Sequence, residues 1–189
     1  MNIVQIGANR GYDELTSILE GKQVDFILLV EPLKKFNHSL FNCYKHIKNM
    51  HVENVVITDE KDKKQISFFL HDRMDENLEQ ASLLDSHVLK HFQSQNQLKE
   101  EIIDCITINE LFDKYNLFDI DILFIDAEGF DDRIIKDINF KKYNIKQLYY
   151  ENMHIDKQAI RIFLENEKYT VQDGTSVTGN NSVATKNIT

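Results

Sequence analysis

The stretch from Ile3 to Tyr12 constrains this chain more than any other. A short apolar run, Ile3, Val4 and Ile6, breaks into Gly7-Ala8-Asn9-Arg10-Gly11 and then into helix-forming sequence. That order reads as a buried strand, a glycine turn and a helix. In an open α/β sheet such a junction borders the crevice where ligands lie, because the loop after the strand and the first N–H groups of the helix both face it. Gly7 lets the backbone turn sharply or approach a ligand, and Gly11 makes room for the helix to pack back on the strand. Strand-like and helix-like segments go on alternating through most of the chain, which predicts an α/β fold with a mostly parallel sheet and helices on both faces.

The glycine spacing is G-x-x-x-G, not the G-x-G-x-x-G of dinucleotide sites. The missing middle glycine is the one that makes room for a pyrophosphate, and here Asn9 and Arg10 stand in that region. A nicotinamide oxidoreductase is therefore disfavoured, and a ligand without phosphates, S-adenosylmethionine (SAM), is favoured. A second apolar run, Phe26 to Val30, ends at Glu31, followed by Pro32, the sole proline of the chain. Proline cannot donate to a ladder, so the strand stops there. Glu31 lies 20 residues after Gly11, a distance at which an acid on the second strand reaches ribose hydroxyls. Gly7, Ala8, Asn9, Gly11 and Glu31 are the expected cofactor-binding residues.

The length of 189 residues fits a single domain, and 42% hydrophobic with 28% charged residues is ordinary globular composition. No apolar run is long enough to span a bilayer and no leader is read, so a cytoplasmic location is expected. A net charge of −9 argues against nucleic acid as substrate, because phosphate neutralisation needs a concentrated basic surface. Cys43 and Cys105 lack any C-x-x-C pairing and read as buried free thiols. His87 and His91 share the i, i+4 spacing but lack the glutamate of a zinc motif, so no metal site is assigned.

Further along, helix A is predicted over Tyr12–Glu20 and a long amphipathic helix from Leu33 to about Met50. A third strand is predicted over Val52–Thr58, with Thr58 and Asp59 on the adenine side, where either contacts the base or makes a turn residue's bond to its own backbone. A strand at Ile66–Leu70 is expected near the edge of the sheet. The segment 71–101 is a candidate lid insertion, with one helix over Leu83–Phe92 capped by Ser82. A strand follows at Ile102–Ile108, then a helix over Glu110–Tyr115 capped by Asn109. Ile120–Ile125 is apolar enough to be a central strand buried on both faces, and it ends in Asp126-Ala127-Glu128-Gly129-Phe130-Asp131. The next strand ends in Glu151, with Asn152 and His154 just beyond, and these three are the expected acceptor-side residues. Asp156 caps a helix running to Asn166, and Tyr169–Val171 pairs with Ser182–Thr185 as a hairpin.

The blocks Val4-Gln5-Ile6-Gly7-Ala8-Asn9-Arg10-Gly11, Leu29-Val30-Glu31-Pro32 and Ile125-Asp126-Ala127-Glu128-Gly129-Phe130-Asp131, taken together, resemble the FkbM family of SAM-dependent methyltransferases. The resemblance implies the Rossmann-like class I methyltransferase fold, with a seven-stranded sheet completed by the tail hairpin. It also implies O-methylation of a hydroxyl on a sugar or other small metabolite, with Gly7, Asn9, Gly11 and Glu31 as cofactor contacts and Asp126 and Glu128 in the active site. One departure is Phe124, which stands where members commonly carry a lysine.

Methyl transfer to a hydroxyl is helped by a base at the acceptor, and Asp126, at the end of the central strand, is the expected base, with Glu128 orienting the acceptor or sharing that role. Two other accounts of these carboxylates stay open on sequence alone. With Glu151 they could hold Mg²⁺, or Asp126 could simply cap the helix that follows. A catalytically inactive SAM-binding partner in a glycan-assembly system is the alternative function, which cofactor binding without turnover on any acceptor would favour.

Overall fold

The computed structural model describes residues 1–11, 13–71, 82–83, 98–174 and 180–187. Ten strands and five helices are described: β1 Asn2–Ile6, α1 Glu14–Leu19, β2 Phe26–Val30, α2 Asn37–Tyr44, β3 Met50–Glu53, β4 Val56–Ile57, β5 Gln65–His71, β6 Leu98–Ile106, α3 Ile108–Tyr115, β7 Asp119–Ile125, α4 Asp131–Asp137, β8 Asn144–Glu151, α5 Lys157–Asn166, β9 Tyr169–Asp173 and β10 Asn181–Lys186. The main sheet has seven strands in the order β3-β2-β1-β7-β8-β10-β9. Its first five strands pair in parallel, and β10 runs antiparallel to both β8 and β9. This is a Rossmann-like arrangement, ended by the tail hairpin.

Residue alternation along the central strands explains the two helical layers. Val4, Ile6, Leu28, Val30, Leu123 and Ile125 project into one core with residues of α3, α4 and α5. Ile3, Ile27, Leu29, Ile122 and Phe124 project to the opposite face, where α1 and α2 cover them. A strand buried on both faces has no position for polar residues, which is why these runs are almost continuously apolar. Gln5, fully buried on β1, is the exception: its amide donates to Asp13 and accepts from the Tyr44 hydroxyl. The chain moves outward from β1 to β3 and then crosses back to β7 on the other side of β1. The sheet's switch point therefore lies between the ends of β1 and β7.

Several sequence expectations are corrected. The run Val52–Thr58 is not one strand: β3 ends at Glu53, and Asn54 leaves the sheet to donate to the Glu31 carbonyl and exchange bonds with Asn37. β4 then pairs with β6, and β5 pairs antiparallel with β6, in a separate three-stranded sheet with its own core of Leu33, Phe36, Val56, Phe68, Leu70 and Cys105. The expected long helix after Leu33 is a 3₁₀ turn, Lys34–Phe36, followed by the shorter α2. Helix α3 is capped by Thr107, not Asn109, in a reciprocal capping box with Glu110. Asp156 caps α5 as expected, accepting from the Ala159 N–H. The helix expected over Leu83–Phe92 and the His87/His91 pair lie outside the described residues, apart from Leu83. No helix among the described residues is long and apolar enough to cross a membrane.

Candidate active site

The carboxyl ends of β1, β2 and β7 open onto one cavity of about 330 Å³. Three loops build it. From β1 come Gly7, Asn9, Arg10, Gly11 and Asp13; from β2, Glu31, Pro32 and Leu33; from β7, Asp126, Ala127, Glu128 and Phe130. Apolar side chains of the smaller sheet, including Val56, Ile57 and Phe68, close one side together with Leu83.

Gly7 is required by the meeting of two strands. A Cβ built on it would stand 1.9 Å from the carbonyl oxygen of Asp126, and its φ of +76° is left-handed. The Asp126 N–H donates to the Ile6 carbonyl at 3.0 Å, and the N–H groups of Gly7 and Ala8 donate to the Val30 carbonyl. The loop is thus strapped to both neighbouring strands. Gly11 makes room for α2, not for α1 on the strand: its Cβ would meet Tyr44, Leu40 and Cys43 at 2.9–3.3 Å. Ala8 is fully buried in the core beneath the loop and stands outside the lining.

Glu31 is 6% exposed, and its carboxylate fastens the site. One oxygen accepts from the Asn9 N–H and the other from the Leu33 N–H, each at 2.9 Å. These two bonds orient the carboxylate at the mouth of the β2 loop. Asn9 adopts a left-handed φ of +44°, and its Oδ1 is a buried acceptor with no partner among the described residues.

Across the cavity the carboxyls crowd. Burial, then the neighbouring Glu151, Asp13 and Glu14, push the Asp126 carboxyl up to about 7. Burial, Asp126 and Glu151 push Glu128 up to about 8. Asp131, fully buried, is pushed well above the usual carboxylate range by burial and the same neighbours, although it accepts from the N–H groups of Ala127 and Glu151. Helix α4 begins at Asp131, and its N-cap, Phe130, makes no side-chain capping bond. The capping account of Asp126 therefore does not hold. Among the described residues no three His, Cys, Asp or Glu side chains are arranged to hold a metal ion.

Other expected residues fall elsewhere. Thr58 and Asp59 stand outside the lining. The Thr58 hydroxyl accepts from the Glu60 N–H as a turn bond, and Asp59 is held by a two-bond ion pair with Arg133. Val55, Val56 and Ile57, just before them in the chain, line the cavity instead. Asn152, 1% exposed, donates to the Ser182 hydroxyl and the Asn180 carbonyl, stitching β8 to the β10 end of the tail hairpin. Glu151 ends β8 outside the lining but within electrostatic reach of Asp126 and Glu128; burial raises its carboxyl and nearby His154 opposes the rise. Sequence reasoning missed Asp13, which caps α1 by accepting from the Leu15 N–H and lines the cavity. An aspartate just before Glu14-Leu15 is a legible cap signal.

The model of the Methyltransferase FkbM domain matches residues 5–171 of this sequence. The chain belongs to the methyltransferase FkbM family. In fold it is similar to the crystal structure of methyltransferase FkbM from Methylobacillus flagellatus KT, at a TM-score of 0.54 and 12% identity, over 97% of this chain and 43% of that one. It is also similar to the Methanococcus jannaschii fibrillarin pre-rRNA processing protein, at a TM-score of 0.49 and 9% identity, over 98% of this chain and 66% of that one. This FkbM-family chain thus spans less than half the length of the first of these. No curated protein matches its sequence.

The raised carboxyls of this FkbM-family site have a consequence for stability. Unfolded, Asp and Glu titrate near 4; folded, Asp126 and Glu128 titrate near 7 and 8. Stability from such groups is full below the unfolded value and is lost as pH rises through the folded one. Carboxyls held low by partners, such as Glu53 and Asp113, act in the opposite sense and only towards pH 4 and below. Thermal unfolding followed by circular dichroism should therefore give a midpoint about 5 °C or more lower at pH 8.5 than at pH 5.5. A flat profile over that range would mean that the cluster is not buried as described.

Proposed function

We propose that this chain is a SAM-dependent methyltransferase that methylates a hydroxyl oxygen of a sugar or another small metabolite. The observation that carries the reading is the single cavity at the switch point, which joins the Asn9 and Glu31 end to the Asp126 and Glu128 end. The donor set fits the cofactor. SAM brings ribose hydroxyls and an ammonium group in search of acceptors, and the site offers the Glu31 carboxylate and the Asn9 Oδ1, which has no partner among the described residues. Its base would lie against the apolar wall of Val56, Ile57 and Leu83. When bound, SAM supplies a methyl group activated by its sulfonium.

The chain's own residues do the rest. The walls hold the acceptor in line and exclude water, which is most of what an in-line displacement needs. Asp126 accepts the hydroxyl proton as the oxygen attacks, and its titration near 7 matches a base to neutral pH. Glu128, titrating near 8, remains largely protonated at pH 7 and donates a hydrogen bond to an acceptor oxygen.

Calorimetry with S-adenosylhomocysteine tests the cofactor half of the proposal. Glu31→Ala removes a charged acceptor and strands two buried backbone N–H groups, so binding should weaken by roughly 1.5–3 kcal/mol. Unchanged affinity would remove Glu31 from the site. Transfer of a labelled methyl group from SAM across a panel of sugar and small-molecule hydroxyl acceptors tests the other half, and no labelled product on any of them would count against it.

A further inference from the structure

Within the insertion 71–101, Ser82 is described and sits at the edge of the site. It is 1% exposed. Its N–H and carbonyl exchange bonds of 3.1 and 2.9 Å with Phe69 on β5, which fixes it to the three-stranded sheet. Its hydroxyl then donates to the carbonyl oxygen of Glu128 at 3.1 Å. The next residue, Leu83, lines the cavity and packs against both the main core and the core of the smaller sheet. Ser82 is thus a rivet between the smaller sheet and the turn that carries the active-site carboxyls.

That turn needs holding. Glu128 adopts a φ of +50° and Gly129 follows at +88°, and a left-handed non-glycine residue persists only where its surroundings enforce it. Asp131 grips the Ala127 N–H, and the Phe130 N–H donates to the Ala127 carbonyl, so these bonds hold the turn at its two ends. The Ser82 hydroxyl holds it in the middle. The neighbouring charges push the other way. Glu128 lies within electrostatic reach of Asp126 at the end of β7 and Glu151 at the end of β8, and Asp126 in turn of Asp13 and Glu14 at the start of α1. When Glu128 ionises, like charges favour a carboxylate that swings out to water.

We infer that Ser82 is a positioning residue for methyl transfer: through its bond to the Glu128 carbonyl, the smaller sheet sets where the Glu128 carboxyl stands in the cavity. This rests on Glu128 being an active-site group, as proposed above. Loss of the hydroxyl frees the turn, and the carboxyl moves outward, away from Asp126 and Glu151. Its titration then falls back towards an ordinary glutamate.

Carbon-13 NMR of the side-chain carboxyls, with the Glu128 signal assigned by Glu128→Gln, reads this without turnover. In Ser82→Ala the Glu128 midpoint should fall by about one pH unit or more, while Ser82→Thr, which keeps the hydroxyl, holds the native midpoint. A native midpoint in a folded Ser82→Ala chain overturns the inference. If that variant loses its native circular dichroism, Ser82→Cys decides. It keeps the volume with only a weak donor, so a lowered midpoint supports the inference and a native one overturns it. S-adenosylhomocysteine binding by the wild-type chain is measured alongside. Its absence would fail the functional reading while leaving the carboxyl result to stand or fall by itself.

Discussion

Asp126→Asn is expected to lower turnover by about a hundredfold or more while S-adenosylhomocysteine binding stays within a few fold. The substitution keeps the size and most of the hydrogen bonding of the side chain and removes its capacity to take a proton. The backbone of residue 126 is tied independently of the side chain, through its N–H to Ile6 and its carbonyl against Gly7, so the loop geometry survives the change. Glu128 loses the proton it donates above about pH 8, so wild-type turnover should fall there; below that, because burial holds the Asp126 carboxyl near 7, it should climb with pH up to about 7. The variant should lack that limb. It should also be more stable than the wild type at pH 8.5, since a neutral amide spares the cluster one of its crowded charges. Full turnover in Asp126→Asn would take this residue out of the chemistry.

The layered fold was legible because it is set by patterns that act locally. Ile3 to Gly11, Phe26 to Pro32 and Ile120 to Asp126 are each an apolar run ended by a residue that cannot continue it, and strands buried on both faces have no other composition open to them. The site was legible as far as it hangs from those ends: Gly7, Asn9, Glu31, Asp126 and Glu128 all line one cavity. What escaped was set by pairing between distant segments. The apolar run Val52–Thr58 carries no mark of its division except Asn54, whose amide is drawn to Glu31 and Asn37. Once β4 pairs with β6, Thr58 and Asp59 are carried away from the lining, and Asp59 meets Arg133 from α4. Ser82 looked like a helix cap because serine often is one; its partners, Phe69 and Glu128, are fixed only by tertiary structure. The cap of α3 is legible in principle, because Thr107-x-x-Glu110 is itself a capping-box pattern and its reciprocal bonds outweigh Asn109.

The closeness of β1 and β7 at the switch point makes the glycine positions unequal, and alanine substitutions should rank them. At Gly7 the new Cβ would lie 1.9 Å from the Asp126 carbonyl oxygen, which is backbone held in place by the parallel ladder of β1 and β7. Neither partner can turn aside, so the two strand ends must separate, and the left-handed φ adds about 1–2 kcal/mol of its own. Gly7→Ala should destabilise the chain by about 4 kcal/mol or more, the range reserved for a few severe mechanisms, and abolish measurable S-adenosylhomocysteine binding. At Gly11 the contacts are side-chain atoms of Tyr44, Leu40 and Cys43 at 2.9–3.3 Å, which can give way, so the overpacking should cost about 1–3 kcal/mol on top of the same left-handed backbone cost. At Gly21 nothing lies within 4 Å, leaving only the backbone term of about 1–2 kcal/mol. Denaturant unfolding of the three variants measures the series. A Gly7→Ala chain as stable as Gly21→Ala would mean that β1 and β7 do not meet as closely as described, and the cavity built on their ends would have to be redrawn.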